Sequence, residues 1–379
     1  MKTPVYTWHK EHGQVIDFLG WDLPVRYSDI STEHKAVRNA AGLFDVSHMG
    51  RLEFLGKDAE MFLNSLVPRD IRDVAIGRCA YTYVLNSHGG FQDDIIVTHR
   101  GDDDFMVVCN AGNYDKIVSW IRTMLNIMNQ MHPLDLTFND FSSTSAMYAL
   151  QGPKALEILA KVFEGDPVGR WRYTTGKIAG VDIILQGTGY TGEAGCEIII
   201  PGTTVDEPEK ALKVWTAIID AGEDFGLLPI GLGARDSLRL EAGMPLYGQE
   251  LDEFISPVEA ALAFPPFAKI DKDVTFIGQT PFKKVSEAGI EKIRVGLRMI
   301  KRGIPRTHHE IVVDGKVIGE VTSGTKSPIF NLGFGMGYVE KEYSQIGTTF
   351  FIRTGLREQE AEVVGYPFYD PSVYGYKRD

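Results

Sequence analysis

Two apolar runs joined by a glycine turn decide the fold of the first part of this chain: "RCAYTYVLNSHGGFQDDIIVTH", residues 78–99. Aromatic and β-branched residues fill both runs and Gly89-Gly90 separates them, which predicts a β-hairpin. The second run begins with two adjacent acids, Asp93 and Asp94. Successive side chains of a strand point to opposite faces, so the two carboxylates must meet different surroundings. The run that follows is apolar on both faces, so the pattern alone does not choose between them.

Apolar residues at helical spacing predict helices among the strands. The clearest is "GNYDKIVSWIRTMLNIMNQM" (112–131), and another is expected to begin after Asp58 as its N-cap. A third, "GLGARDSLRLEAG" (231–243), carries Arg235 and Arg239 one turn apart on a single face. The first two-thirds of the chain is therefore predicted to mix helices with strands.

The pattern changes near residue 285, where short strands replace the alternation. Asp314-Gly315 joins two of these strands, and this dipeptide is the strongest short-range hairpin signal. Residues 285–379 are predicted to form a small antiparallel barrel or sandwich. The preceding unit spans 1–280, with the join inside 271–289.

Composition narrows the class of protein. A chain of 379 residues predicts two or three domains. The net charge of -12 argues against a nucleic-acid binder, although a local basic pocket for an anionic ligand remains compatible with it. The three cysteines form no CxxC pair, which predicts reduced thiols, no metal site and a cytoplasmic location. No leader peptide and no apolar run of about 20 residues is present, so no membrane association is expected.

Four glycine-rich stretches concentrate polar residues that are unusual for a core. Arginine binds carboxylates in bidentate fashion, glutamate can accept two N–H bonds from an aminopyrimidine edge, and tyrosine offers a ring and a hydroxyl. Such a set suits a planar anionic ligand. The stretches are "FDVSHMG" (44–50), "HGGFQDDIIV" (88–97), "TGYTGEAGCE" (188–197) and "GLGARDSLRLEAGMPLYGQE" (231–250).

A plainer interpretation of the same residues stays open. Arg235–Asp236 and Arg239–Glu241 can be local ion pairs with no ligand, and the pattern favours neither reading. His48, like the pair His308-His309 in the C-terminal part, is interpreted as a structural or surface histidine.

The four stretches, with "TPVYTWHKEHGQVIDFLGWDLPVRY" (3–27) and "VTSGTKSP" (321–328), resemble the motifs of the aminomethyltransferase family, the T-protein of the glycine cleavage system. The resemblance covers nearly the whole chain in the family's order. It implies an α+β fold in which two intertwined, ferredoxin-like parts and a C-terminal β-barrel surround a central hole. It also implies transfer of the one-carbon unit from the aminomethyl-lipoyl arm of the H-protein to tetrahydrofolate, giving 5,10-methylenetetrahydrofolate and ammonia.

The resemblance also implies which residues form the site. Asp94 matches the family's catalytic acid near folate N10, which leaves Asp93 a structural role, capping the hairpin turn. The implied folate-binding residues are Glu197 at the pterin edge, Arg235, Tyr190, Asn110, Tyr81, Met49 and, from the tail, Tyr374.

Some expectations remain as alternatives. Thr98 and Lys326 stand where the family usually has aromatic residues. Thr98 leaves the exact folate contacts undecided, and Lys326 is expected to alter an outer wall of the barrel. A folate-dependent demethylase on the same fold is the main rival, and another reduced pterin could replace tetrahydrofolate. A non-catalytic folate-binding relative is disfavoured, because "AGMPLYGQE" (242–250) lacks the cysteine of that group. The chain is expected to be a monomer or weak homodimer.

Overall fold

The structure, a computed structural model, describes residues 1–378. Its eight α-helices in that range are α1 Tyr6–His12, α2 Ile30–Asn39, α3 Ala59–Leu66, α4 Tyr114–Met131, α5 Ala155–Val162, α6 Glu209–Gly222, α7 Leu232–Glu241 and α8 Gln279–Ala288. None of these helices combines the length and hydropathy needed to cross a bilayer.

Most strands of the first part belong to two sheets. They are β1 Gln14–Phe18, β2 Trp21–Arg26, β3 Ala41–Asp45, β4 Gly50–Leu55, β5 Arg78–Leu85, β6 Phe91–Gly101, β7 Asp104–Cys109, β8 Thr137–Asp140, β9 Ser145–Gln151, β10 Phe163–Gly165, β11 Tyr173–Ile178, β12 Val181–Gln186, β13 Gly195–Pro201 and β14 Leu227–Pro229. The C-terminal part adds β15 Lys292–Met299, β16 Glu310–Val313, β17 Lys316–Lys326, β18 Gly333–Glu340, β19 Thr349–Thr354 and β20 Arg357–Val364.

The predicted hairpin is confirmed and forms one side of a five-stranded sheet, in the order β5-β6-β7-β4-β8. Its turn is stabilised by Asn86, whose Oδ1 accepts the backbone N–H groups of His88 at 2.9 Å and Gly90 at 3.0 Å. Helices α3 and α4 cover the outer face of this sheet with a shared apolar core. Helix α4 also confirms the clearest helix prediction.

A seven-stranded sheet, in the order β10-β11-β12-β13-β9-β3-β14, forms the second layer. Its end pair β14 and β3 is parallel, and its other pairs are antiparallel. Helices α5 and α6 pack on it around the fully buried Trp215. The mixed α/β character of the first part is therefore confirmed.

The C-terminal strands close into a six-stranded antiparallel barrel, in the order β15-β18-β17-β16-β19-β20. The sequence pattern allowed either a barrel or a sandwich. The structure is a barrel, because the two edge strands of the sheet pair with each other and close it. The predicted turn at Asp314-Gly315 is confirmed, with φ of 49° and 79°, as a hairpin of this type requires. Helix α8 lies inside the stretch predicted to be the join, while the division of domains itself stays a prediction.

Helix α7 joins the first part of the chain to the barrel, since it packs on α2 and β2 and also on barrel strands β17 and β18. The tail after the barrel returns to the first part. The N–H of Phe368 donates to the carbonyl of Glu241 at 2.8 Å, and the N–H of Gly375 donates to the Glu193 carboxylate at 3.0 Å. These contacts hold the barrel and tail around a cavity at the centre of the fold.

Candidate active site

The cavity has a volume of about 1120 Å³, and its wall is drawn from both sheets, α7, the barrel and the tail. Seven of the eight side chains predicted for the site line it: Met49, Tyr81, Asp94, Asn110, Tyr190, Glu197 and Arg235. Tyr374 is not part of the wall, and the tail contributes Tyr366 and Tyr376 instead.

The two acids of β6 separate as strand geometry requires. Burial alternates along the strand, so that Asp93 is fully enclosed and Asp94 is half-buried and faces the cavity. The expectation that Asp93 caps the hairpin turn is wrong, because Asn86 does so. Asp93 instead accepts the backbone N–H of Asn110 at 2.9 Å and the Asn113 amide at 2.6 Å. Its neighbours are the end of β7 and the start of α4.

Burial raises the pKa of both acids. The pKa of Asp94 rises to about 6, against which the nearby Tyr81 hydroxyl and Asn110 amide work only in part. The pKa of Asp93 rises to about 8, because burial adds to the charge of Asp94 beside it. A carboxylate with a pKa raised in this way can take up a proton near neutral pH, which an ordinary surface aspartate does poorly.

Opposite the acids, α7 presents Arg235 to the cavity. Within residues 1–378 its side chain makes no hydrogen bond and no ion pair, and its guanidinium lies 4.9 Å from the ring centroid of Tyr190. Burial lowers the pKa of Arg235, although the guanidinium stays charged. A half-buried, charged guanidinium without an ion pair among residues 1–378 suits the binding of an anionic ligand.

The neighbouring Arg239 is fully engaged. It bonds Glu250 at 2.8 Å, Asp236 at 2.8 Å and the Ser323 hydroxyl of β17 at 2.9 Å. Neither of the two ion pairs expected from the sequence forms within residues 1–378. Arg235 has no ion-pair partner there, and Arg239 makes its local ion pair with Asp236 and a second one with Glu250 rather than with Glu241. Arg239 instead ties α7 to the barrel.

Glu241 turns away from the cavity into a buried polar cluster behind it. Its carboxylate accepts from His34 at 2.9 Å and from Arg38 at 3.0 Å. Arg38 also bonds Glu193 at 2.9 Å, and Arg378 of the tail reaches the same carboxylate. This cluster fastens the tail to the first part.

Glu197 occupies β13 beside Gln186 of β12. Its carboxylate accepts the Thr188 hydroxyl, and burial raises its pKa. Thr98, the departure noted on β6, is buried and bonds Gln186 rather than lining the cavity. The second departure, Lys326, is exposed at the end of β17.

Several wall residues were missed by sequence reasoning. His48 was interpreted as structural or surface, yet it lies in the cavity wall, where burial and then Arg235 lower its pKa to about 3. Its Nδ1 has no partner among residues 1–378. Arg170 and Tyr376 meet at the wall, with the guanidinium 3.2 Å from the ring centroid. Residue spacing could not have predicted this contact, since it joins the loop between β10 and β11 to the C-terminal tail.

In the described part of the chain, no group of three His, Cys, Asp or Glu residues is arranged to hold a metal ion. Cys79, Cys109 and Cys196 are free and buried.

Comparison with known proteins now identifies the family. The profile of the GCVT N-terminal domain matches residues 5–272, and that of the glycine cleavage T-protein C-terminal barrel domain matches residues 292–370. The chain belongs to the aminomethyltransferase family of enzymes, the T-proteins of glycine cleavage.

Individual relatives agree. An aminomethyltransferase from Halalkalibacterium halodurans is 41% identical over 97% of this chain and 98% of its own length. One from Bacillus subtilis is 40% identical over 97% and 99%, and a probable aminomethyltransferase from Pyrococcus horikoshii is 38% identical over 99% and 98%. The crystal structure of the glycine cleavage system aminomethyltransferase T from Bartonella henselae superposes with a TM-score of 0.88 at 30% identity, covering 100% of this chain and 99% of that one.

Proposed function

We propose that this protein transfers the one-carbon unit of an aminomethyl group, carried on the lipoyl arm of the H-protein, to tetrahydrofolate, with release of ammonia. The observation that supports this most is the presence, in the wall of one cavity, of a carboxylate whose pKa is raised to about 6 and of a half-buried arginine that lacks an ion pair within residues 1–378. The first can move a proton, and the second can bind an anion.

The wall has the groups that tetrahydrofolate needs. Arg235 can bind a carboxylate or carbonyl of the ligand, Glu197 can accept N–H bonds from the pterin edge, and the Tyr190 ring can stack against a flat surface. Met49 and Tyr81 add apolar wall around them. The bound ligand supplies the amine that accepts the one-carbon unit.

The reacting groups of the protein are few. Asp94 can accept the proton that leaves the accepting amine and can balance positive charge that develops beside it. Because both substrates are held in a single cavity, much of the rate comes from positioning, which can contribute several kcal/mol. The remaining wall residues orient the ligand and exclude water.

Exposed apolar side chains at the cavity suit the hydrocarbon chain of a lipoyl arm. Leu19 is 62% exposed at the tip of the β1–β2 hairpin and Phe264 is 49% exposed, although both contribute to the wall. We place the arm along these residues. A cytoplasmic location, a monomer or weak homodimer, and a domain division at residues 280–285 complete the proposal.

Ammonia release from aminomethyl-lipoyl H-protein, measured with and without tetrahydrofolate, tests this function. We expect release to be strongly accelerated by tetrahydrofolate. No release from that substrate, together with demethylation of a small methylated donor in the absence of H-protein, would establish the rival activity instead.

A further inference from the structure

Asn110, at the end of β7, bridges the two acids of β6. Its Nδ2 lies 2.9 Å from Oδ1 of Asp93, 2.8 Å from Oδ1 of Asp94 and 3.0 Å from the backbone carbonyl of Asp94. Both acids therefore share one amide group as a donor.

The orientation of this amide is determined by its neighbours. An amide nitrogen has two hydrogens and its oxygen only accepts. With the amide reversed, Oδ1 would lie against the backbone carbonyl oxygen and the carboxylate oxygen of Asp94, neither of which can donate, and both contacts would be repulsive. In the observed orientation both side-chain N–H groups of Asn110 donate to acceptors within the protein, so only Oδ1 is available to a ligand.

Asp93 in turn holds Asn110. Its carboxylate accepts the backbone N–H of Asn110 at 2.9 Å as well as the side-chain amide, so that Asn110 is held at two points. Asn113 bonds the same carboxylate at 2.6 Å and makes no bond to Asp94 among the contacts of the described chain. A fully buried acid with three N–H donors is a rigid anchor.

We propose that Asn110 is a positioning residue that transmits the fixed geometry of Asp93 to Asp94, and that it does not bind the folate through its amide N–H groups. This proposal rests on the proposed function for the role of Asp94, but the geometry it describes exists without any ligand. Asp93 then has a role beyond stability, because it anchors Asn110, and Asn110 orients Asp94.

Loss of the Asn110 amide has a definite electrostatic consequence. Its N–H stabilises the ionised form of Asp94, so its removal must raise the pKa of Asp94 further above about 6. The titratable groups that face the pair are Tyr81 on β5, Tyr190 and Tyr247 in the cavity wall, and Cys109 on β7. Burial raises the pKa of all four, so they stay neutral over the pH range in which Asp94 titrates.

The test compares Asn110→Ala with Asn113→Ala in the full-length protein without ligand. The Asp94 carboxyl is followed by ¹³C NMR of aspartate-labelled protein against pH, with its signal assigned from Asp94→Asn. We expect its titration to move to higher pH in Asn110→Ala and to move much less in Asn113→Ala, which removes a bond to Asp93 only. This readout needs no activity, so it is independent of whether the proposed function holds.

Kinetics and binding then separate positioning from ligand contact. In Asn110→Ala we expect kcat to fall about 10- to 100-fold while the Kd for tetrahydrofolate, from isothermal titration, changes less than about threefold. A large rise in Kd with an unmoved Asp94 titration would overturn the proposal and make Asn110 a ligand contact. Asn110→Ser, which keeps a short donor, should give intermediate values in both measurements if the alanine variant does not fold.

Discussion

Two walls of the cavity present charge in opposite ways. On β6, the acid that faces the cavity is held by a neighbouring amide, and its partner acid is anchored behind it. On α7, the arginine that faces the cavity, Arg235, is not hydrogen-bonded by the protein within residues 1–378. Its neighbour Arg239 is fully bonded. Each wall thus pairs one structural charge with one available charge.

The difference between the walls lies in what fixes the available group. Asp94 is oriented by hydrogen bonds from the protein, which suits a group that must meet one reacting atom. Arg235 is confined by packing against the Tyr190 ring with no bond to it, and ligand oxygens can therefore satisfy its donors. We therefore propose that the wall carrying Asp94, the acid wall, serves the chemistry and that the wall carrying Arg235, the arginine wall, serves binding. The following variants test that distinction.

Asp94→Asn should have the largest effect. The amide keeps the shape of the side chain but cannot accept the proton, so we expect kcat to fall roughly 100-fold or more while the Kd for tetrahydrofolate stays nearly constant. Asp102→Asn, an exposed change in the loop after β6, is the matched control. Near-normal turnover in Asp94→Asn would remove the acid wall from the chemistry.

Asp93→Ala should chiefly reduce stability. It leaves the backbone N–H of Asn110 and the amide of Asn113 without their buried acceptor and removes one acceptor of the Asn110 amide, which should cost about 2–4 kcal/mol in the free energy of unfolding. Urea denaturation measures this, with Asp102→Ala as the control. A loss below about 0.5 kcal/mol would show that Asp93 is no anchor.

Arg235→Ala should weaken folate binding without displacing the acid. The loss of a charged donor to an anionic group is worth about 1.5–3 kcal/mol, so the Kd from isothermal titration should rise at least tenfold. Arg122→Ala, on the exposed face of α4, should leave it unchanged. An unaltered Kd in Arg235→Ala would refute the assignment of this wall to binding.

The pH dependence should come from the acid wall. A base must be ionised to act, so kcat/KM should fall about tenfold per pH unit as the pH drops below the Asp94 pKa of about 6. The effect on stability has the opposite sign. The folded pKa values of Asp93 and Asp94 lie above the ordinary value of an aspartate, so their contribution to stability is present at low pH and is lost as pH rises through about 6 to 8.

The two trends can be measured together. The free energy of unfolding of Asp94→Asn, relative to the unaltered protein, should be more favourable at pH 8 than at pH 5, because the variant buries no charge there. If kcat/KM of Asp94→Asn still falls as the pH drops below about 6, the titration belongs to another group.

The smallest effect is expected at the tail. Tyr376 packs under Arg170 at the cavity wall, whereas Tyr374 lies outside the wall, so Tyr376→Ala should raise the Kd for tetrahydrofolate a few-fold. Tyr374→Ala is the matched comparison, and it also tests the sequence-based assignment of that residue. A larger effect from Tyr374→Ala would restore it as the tail residue of the site.

Much of the architecture could be predicted because its signals are local. The glycine turn in 78–99 and Asp314-Gly315 each specify a hairpin within a few residues, and α4 follows from the spacing of its apolar side chains. Family resemblance added the site, and seven predicted residues do meet at one cavity. Local signals could not supply contacts between distant groups, such as the packing of Arg170 on Tyr376.

By itself, the sequence determined that two adjacent acids on a strand must face opposite ways, since side chains alternate with a period of two. It also determined that Arg235 and Arg239 share a face of one helix. Only the tertiary structure decided which member of each pair is available. Asn110 reaches the acids only because β7 pairs with β6, and the Ser323 hydroxyl bonds Arg239 only because the barrel packs on α7. Partners so far apart along the chain leave no periodic trace in it.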